Sequence, residues 1–303
     1  MDMKTSITVS PIVLYDAPEE GLKLIKEAGF DALDFSFTGE LSYHAVVTGD
    51  LDSIFSQSVE DVRAFYKPIV DAIKEQGLEV AQAHAPYPTY TRNSEMDDLV
   101  FESIVKSMAV CQDLGCPYIV VHPNFGDYSW RLDSETQWAV NKEFYTRLIP
   151  YSKEYGVGIC LENMFTSYNG RLYSAICSDA DEAIAYIDAL NESAGFDCFS
   201  FCYDTGHQTL LGLDFRENLR KLSSRVKVLH IHDNDGRNDS HLAPYMGVSD
   251  WEAFIEGLRD ISFSGAISFE VRNVFGQYPK ELWPEQLALI AATGRYFAKR
   301  LAK

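Results

Sequence analysis

The strongest constraint on this chain is a repeat of pattern: eight short apolar runs, each followed by a longer amphipathic stretch, from one end to the other. The runs are ITVSPI (6–11), ALDFSF (32–37), EVAQAHA (79–85), YIVVHP (118–123), GICLEN (158–163), SFCYDT (200–205), VKVLHIH (226–232) and AISFEV (266–271). Amphipathic stretches fall at 18–28, 59–76, 96–114, 134–155, 179–190, 212–223, 250–260 and 284–302, with Gly29, Gly77, Gly115 and Gly156 as stop signals for the first four. Strand-then-helix repetition implies parallel strands joined by crossovers, and eight units are the count of a TIM barrel. The expected fold is therefore α/β, a single (β/α)8 barrel over residues 1–303, because no Pro/Gly/Ser-rich linker divides the alternation. The rival, a doubly wound open sheet, lacks the glycine-rich phosphate loop that would follow its first strand.

Three further readings narrow the class. No 18-residue apolar run without charge is present and the N-terminus does not read as a secretory signal, so neither a membrane span nor export is expected. Six cysteines (Cys111, Cys116, Cys160, Cys177, Cys198, Cys202) form no C-x-x-C pair and read as reduced, mostly buried thiols of a cytoplasmic protein. Lys and Arg number 26 against 45 Asp and Glu, a net charge of -19 that repels polyphosphates, so no nucleic-acid partner is expected.

The chemistry gathers at strand ends. His84, His122, Glu162, Asp204, His230 and Glu270 each stand at or near the last residue of a run, and parallel barrel strands converge there on one mouth. Long connections at 38–58, 164–178 and 233–249 would form its rim. Singly, each residue reads as a hydrogen-bonded rim group. Together, three half-buried carboxylates would repel one another and raise their pKa values unless a cation sits among them, and Arg272 is the sole Lys or Arg at these ends. A divalent metal resolves the repulsion. Nitrogen and oxygen donors without thiolate suit Mn, Zn, Co or Fe over a soft metal or Ca; Mn or Zn is the preferred cofactor, with Co or Mg as further choices.

The segments HAPY (84–87), VVHP (120–123), LEN (161–163), DTGH (204–207), LHIHDNDG (229–236), GVSDWEAF (247–254) and ISFEV (267–271), in this order and spacing, resemble the xylose-isomerase-like barrel superfamily, which includes sugar phosphate isomerases and epimerases and apurinic endonuclease IV. The resemblance spans essentially the whole chain. For the ketose epimerases it implies one divalent metal on Glu162, Asp204, His230 and Glu270, with His230 preferred over His232 because the apolar Ile231 follows it. For endonuclease IV it implies three zinc ions, with His84, His122, His207, Asp239 and His241 as further ligands. The alternative for those histidines is a role in lining a sugar pocket.

Two functions from different classes follow. In the first, a sugar or sugar phosphate is isomerised or epimerised by proton transfer through a metal-stabilised enediolate, with Glu162 and Glu270 as base and acid and with His207 and His122 orienting hydroxyls. A hydride shift is its variant. In the second, a multinuclear zinc site hydrolyses a phosphodiester. A barrel that binds sugar without catalysis is a third reading, disfavoured by the complete ligand set. Arg92, Arg171, Arg237 and Arg272 are candidates for a phosphate clamp, with Arg237 and Arg272 foremost as substrate-binding residues. Aromatics in PYPTY (86–90), NFGDYSW (124–130), MFTSY (164–168) and NVFGQY (273–278) either stack on a sugar or pack beneath the loops. Asp250 is expected to cap a helix whose Trp251 packs on the barrel. The resemblance also makes self-association an expectation.

Overall fold

The alternation folds as eight parallel strands in one sheet, in a computed structural model that describes residues 3–125 and 133–302. The strands are β1 (Thr5–Thr8), β2 (Ala32–Ser36), β3 (Glu79–His84), β4 (Tyr118–Val120), β5 (Gly158–Glu162), β8 (Phe199–Asp204), β9 (Val226–His230) and β10 (Ile267–Phe269). Between β5 and β8 an antiparallel hairpin, β6 (Phe165–Tyr168) and β7 (Arg171–Ser174), rises from the 164–178 connection. Neighbours run β10-β1-β2-β3-β4-β5-β8-β9. Past the end of β9, Ile231 N donates to Ser268 O at 2.9 Å and Glu270 N donates to Ile231 O at 3.0 Å, which brings the last two strands together and closes the ring.

The helices are α1 (Pro18–Ala28), α2 (Tyr43–Thr48), α3 (Val59–Glu75), α4 (Ser94–Leu114), α5 (Ser134–Thr146), α6 (Ile149–Tyr155), α7 (Ala180–Ala194), α8 (Thr205–Leu210), α9 (Phe215–Leu222), α10 (Trp251–Asp260), α11 (Arg272–Gly276) and α12 (Trp283–Leu301). Their buried stripes carry helical spacing, as in Val62, Tyr66, Ile69 and Ile73 of α3. The stretch 134–155 is two helices rather than one. Pro150 lacks the N–H that would bond Thr146, and its ring crowds that carbonyl, so α5 ends there and α6 restarts. The run at 6–11 pairs only as Thr5–Thr8, and the run at 118–123 only as Tyr118–Val120. No described helix is long and apolar enough to cross a membrane.

Strand alternation builds the barrel interior in layers. Val120, Cys160, Cys202 and Val228 form a small apolar layer. Two residues further along the same strands stand His122, Glu162, Asp204 and His230. The cysteines therefore serve as small packing groups: all six are free and buried, and burial pushes the Cys160 and Cys202 thiols up and away from the reactive thiolate.

The 233–249 connection is anchored from below by Asp233, which is fully buried. Its carboxylate accepts from Gly247 N at 2.9 Å, Ser249 N at 3.1 Å, Ser249 Oγ at 2.7 Å and Trp251 Nε1 at 3.1 Å. Trp251 thus packs on the barrel and hydrogen-bonds to it, while Asp250 caps α10 through Ala253 N. Asp233→Ala takes the shared acceptor from these four donors, the buried Trp251 indole among them. It is expected to cost about 3 kcal/mol in urea denaturation, and an unchanged midpoint would refute the anchor.

Candidate metal centre and active site

The strand ends converge on His230. Around its Nδ1 lie Glu162 Oε1 at 3.0 Å, Glu270 Oε2 at 3.7 Å and Asp204 Oδ2 at 4.0 Å. Ligand atoms of Asp204, His230 and Glu270 all fall within 4.8 Å of one another, as do those of His84, Glu162 and His230. Two flanking clusters complete the mouth. On one side His84 and His122 bring their Nε2 atoms to 3.1 Å of each other and to 3.8 and 3.1 Å of Glu162 Oε2. On the other, Asp239 Oδ2 lies 3.7 Å from His207 Nε2 and 3.1 Å from His241 Nε2.

Backbone carbonyls aim the histidines. His84 Nδ1 bonds Ala85 O at 2.7 Å, His207 Nδ1 bonds Asn163 O at 2.8 Å and His241 Nδ1 bonds Glu270 O at 2.9 Å. In each case Nδ1 donates to the carbonyl and Nε2 is turned to the cluster, the orientation a metal-ligating histidine needs. Asn163 also joins β5 to β8, donating to Asp204 O at 2.9 Å and accepting from Asp204 N at 2.8 Å. His232 bonds Asp204 Oδ2 at 3.0 Å and stacks on His241 at 4.1 Å. Gly206 makes room for that ring: a Cβ there would sit 1.8 Å from His232 Cε1, which is why the DTGH motif requires glycine.

The electrostatics are those of a cation site. Burial pushes the Glu162 carboxyl up, but His230, which hydrogen-bonds it, and the neighbouring imidazoles of His122 and His84 outweigh this and hold the group well below the usual carboxylate range. Burial likewise opposes ionisation of Glu270, yet His241, Arg272 and His230 keep it depressed. The converse holds for the imidazoles. Burial pulls His207, His230 and His241 down, and the surrounding carboxylates override it, so all three are raised. His122 is the exception, lowered by burial. Of the nine buried polar side-chain atoms without a hydrogen-bond partner among the described residues, five belong here: Asp34 Oδ1, Glu162 Oε2, His230 Nε2, His232 Nδ1 and Asp239 Oδ1. The orphaned oxygens of Glu162 and Asp239, set among carboxylates and imidazoles, fit a divalent metal, whose charge and coordination would satisfy them.

A cavity of about 320 Å³ opens above this cage. Glu162 and Glu270 reach its wall, together with His122, His207, Tyr87 and Phe165, whereas Asp204, His230 and His232 stay beneath it. The aromatic segments divide. Tyr87, Phe125 and Phe165 line the cavity, Phe275 is buried against Trp283, and Tyr128 and Trp130 lie outside the described residues. Arg272 is on the wall, held 3.4 Å from Glu270 Oε1. Arg237, expected there as a substrate-binding residue, is exposed and outside the lining, as are Arg92 and Arg171; the loop after β9 turns at Asp235 and Gly236 before reaching the mouth.

Two contributors escape a reading of strand ends. Tyr43, on α2 within the 38–58 connection, lines the cavity opposite Tyr87, at 6.1 Å between rings. Asp34, in the interior of β2, lies 3.4 Å from His230 Nε2 and accepts from Gln82 Nε2 at 3.0 Å. The signal for Asp34 is a carboxylate inside an otherwise apolar run, where a strand buried on both faces admits none without a partner. A buried carboxylate behind a ligating histidine fixes its ring and raises its basicity. Asp34→Asn is therefore expected to weaken metal binding by about 10–100-fold in a chelator competition titration; unchanged affinity would remove Asp34 from the centre.

Residues 22–293 match the family model described as xylose isomerase-like TIM barrel. The chain belongs to that family. Its relatives include the uncharacterized protein MJ1311 of Methanocaldococcus jannaschii, 26% identical over 213 residues that cover 68% of this chain and 70% of that protein. Another is the uncharacterized protein y4fM of Sinorhizobium fredii, 23% identical over 260 residues covering 82% and 79%. Among solved structures, a D-tagatose 3-epimerase-like protein superposes with TM-score 0.73 at 18% identity, covering 99% of this chain and all of that one. The 3-keto-D-glucoside 4-epimerase YcjR of E. coli does so with TM-score 0.66 at 19% identity, covering 96% and 99%. At these identities the likeness shows the shared fold of this xylose isomerase-like barrel.

Proposed function

We propose that this xylose isomerase-like barrel is a divalent-metal-dependent sugar isomerase or epimerase. The observation that carries the reading is the division of labour in the cage: Glu162 and Glu270 alone of the four central ligands reach the cavity wall, while Asp204 and His230 stay beneath it. The names of the structural neighbours, D-tagatose 3-epimerase-like protein and L-ribulose 3-epimerase among them, support the same class of substrate. Glu162, Asp204, His230 and Glu270 would hold the metal, with Mn or Zn preferred for this nitrogen and oxygen set. When bound, the ion supplies Lewis-acid polarisation of the substrate carbonyl, which acidifies the neighbouring C–H.

The side chains supply the rest. One of Glu162 and Glu270 removes the proton from the carbon beside the carbonyl, and the other returns a proton to the resulting enediolate. Both carboxylates are held ionised by their neighbours, so one acts directly as the base, and the other takes a proton from solvent before it returns one to the opposite face. His122 and His207 orient hydroxyls from the wall, and Tyr87 and Phe165 give the sugar an apolar face and exclude water. The test is deuterium uptake by a panel of ketoses in D2O with Mn-loaded protein. Uptake at a single carbon is expected; conversion without uptake indicates the hydride route, and neither conversion nor uptake across the panel rejects the reading.

Further ligand sets favour a second reading, zinc-dependent phosphodiester hydrolysis. Ligand atoms of Asp204, His207 and His232, and those of His232, His241 and Glu270, also fall within 4.8 Å of one another, sets able to hold a further ion. The charge of -19 directs that reading to small phosphodiesters rather than DNA. Metal content decides: about one ion per chain accords with isomerisation, and about three zinc ions with cleavage of a nitrophenyl phosphodiester accord with hydrolysis.

A further inference from the structure

A second, more open cavity of about 830 Å³ lies beside the first, with Ser10, Asp235, Ser240, Asn273 and Gln277 in its wall. Asp239 and Arg272 belong to both cavities, so the two are compartments of one cleft that meet at this pair. Ser10 follows β1, Ser240 and Asp235 come from the loop after β9, and Asn273 and Gln277 come from α11 and its C-terminal end. The segments after β9 and β10, which already line the first cavity, therefore also build the second compartment, together with the connection after β1. Its size lies within the range that small-molecule ligands fill, and it is more than twice the volume of the first.

The chemistry of the wall selects an uncharged, hydroxyl-rich occupant. Serine hydroxyls and the carboxamides of Asn273 and Gln277 both donate and accept, as sugar hydroxyls do. Among the described residues Arg272 is the one Lys or Arg lining either compartment, and Glu270 already engages it at 3.4 Å. Asp235 and Asp239 stand on the same wall, so an added phosphate would meet two carboxylates and a cation in use.

Building on the isomerase or epimerase reading, we infer that the substrate is a glycoside of the reacting sugar. The sugar that reacts occupies the first compartment, a neutral glycosyl unit occupies the second, and Arg272 and Asp239 flank the linkage between them.

Calorimetric titration of the Mn-loaded protein tests this, with D-fructose, D-fructose 6-phosphate and three glucosyl-fructoses (turanose, maltulose and isomaltulose) as probes. At least one disaccharide is expected to bind about tenfold or more tighter than fructose. Gln277→Trp, which fills the second compartment from an exposed position, is expected to abolish that gain and leave fructose binding unchanged. Asn273→Ala removes a polar wall group and should reduce the gain, so the proposal remains testable if the tryptophan variant misfolds. Absence of a gain with all three disaccharides, a gain that survives both variants, or tightest binding by the phosphate ester overturns the inference. Deuterium uptake by the same probes separates the two layers. A binding gain with neither conversion nor uptake rejects the isomerase reading and keeps the glycosyl compartment; uptake or conversion without a gain keeps the reading and rejects the compartment.

Discussion

Glu270→Gln is expected to abolish solvent deuterium uptake by the substrate, with a fall of about 10²–10⁴-fold in exchange rate. The amide keeps the shape and an oxygen donor but can neither accept nor return the proton. Glu270 reaches the cavity wall and also lies in the ligand cage, so rate alone would not separate the two roles. Metal content measured on the same sample does. Retained metal with lost exchange identifies Glu270 as a proton carrier, and loss of both identifies it chiefly as a ligand. Asp204→Asn is the control, because Asp204 is fully buried beneath the cavity and should lose metal first and activity only in consequence. Undiminished exchange in Glu270→Gln would sink the two-carboxylate mechanism.

Removal of the metal should have the second large effect, on stability as well as activity. Without the ion, five carboxylates (Asp34, Glu162, Asp204, Asp239 and Glu270) share one small volume with Arg272 and the histidines as their only counterions among the described residues. Metal at about 1,000 times its dissociation constant adds roughly 4 kcal/mol of stability, so dialysis against a chelator should lower Tm by several degrees and re-addition restore it. The pH dependence has a definite sign. His207, His230 and His241 are raised by their carboxylate neighbours, so the metal-free site holds protons at neutral pH that binding must displace. Metal affinity should thus rise with pH and fall as the solution is made acid, with proton release on binding. One affinity at about pH 6 and about pH 8 would refute the displacement of protons, and a Tm indifferent to chelator would show that no metal is held here.

Much of this site is written in strand periodicity. Side chains two apart share a face, so once Val120, Cys160, Cys202 and Val228 are packed as an apolar layer, His122, Glu162, Asp204 and His230 must stand together one layer higher. Parallel strands then bring those residues to one mouth whatever the loops do. The two-residue step equally puts His230 and His232 on one face, which is why the pattern leaves them as alternatives. In the structure three carboxylates converge on His230 Nδ1, while His232 lies over Gly206 and stacks on His241. The loop residues were less legible, because a connection of fifteen or so residues has no period to constrain it. Arg237 and Arg272 look equivalent as cations following strands, yet an Asx turn at Asp235 carries one away from the cavity and the start of α11 holds the other beside Glu270. Tyr43 and the β6–β7 hairpin were unmarked for the same reason.

Local alternation repeated eight times specifies the barrel, the layer of it that bears chemistry, and the donor types at its mouth. Packing in three dimensions sets which carboxylate meets which histidine, the carboxylate of Asp34 behind His230, and the second cavity beyond Arg272. Those depend on distances across the barrel and between loops far apart in the chain, which close packing fixes and no local pattern encodes.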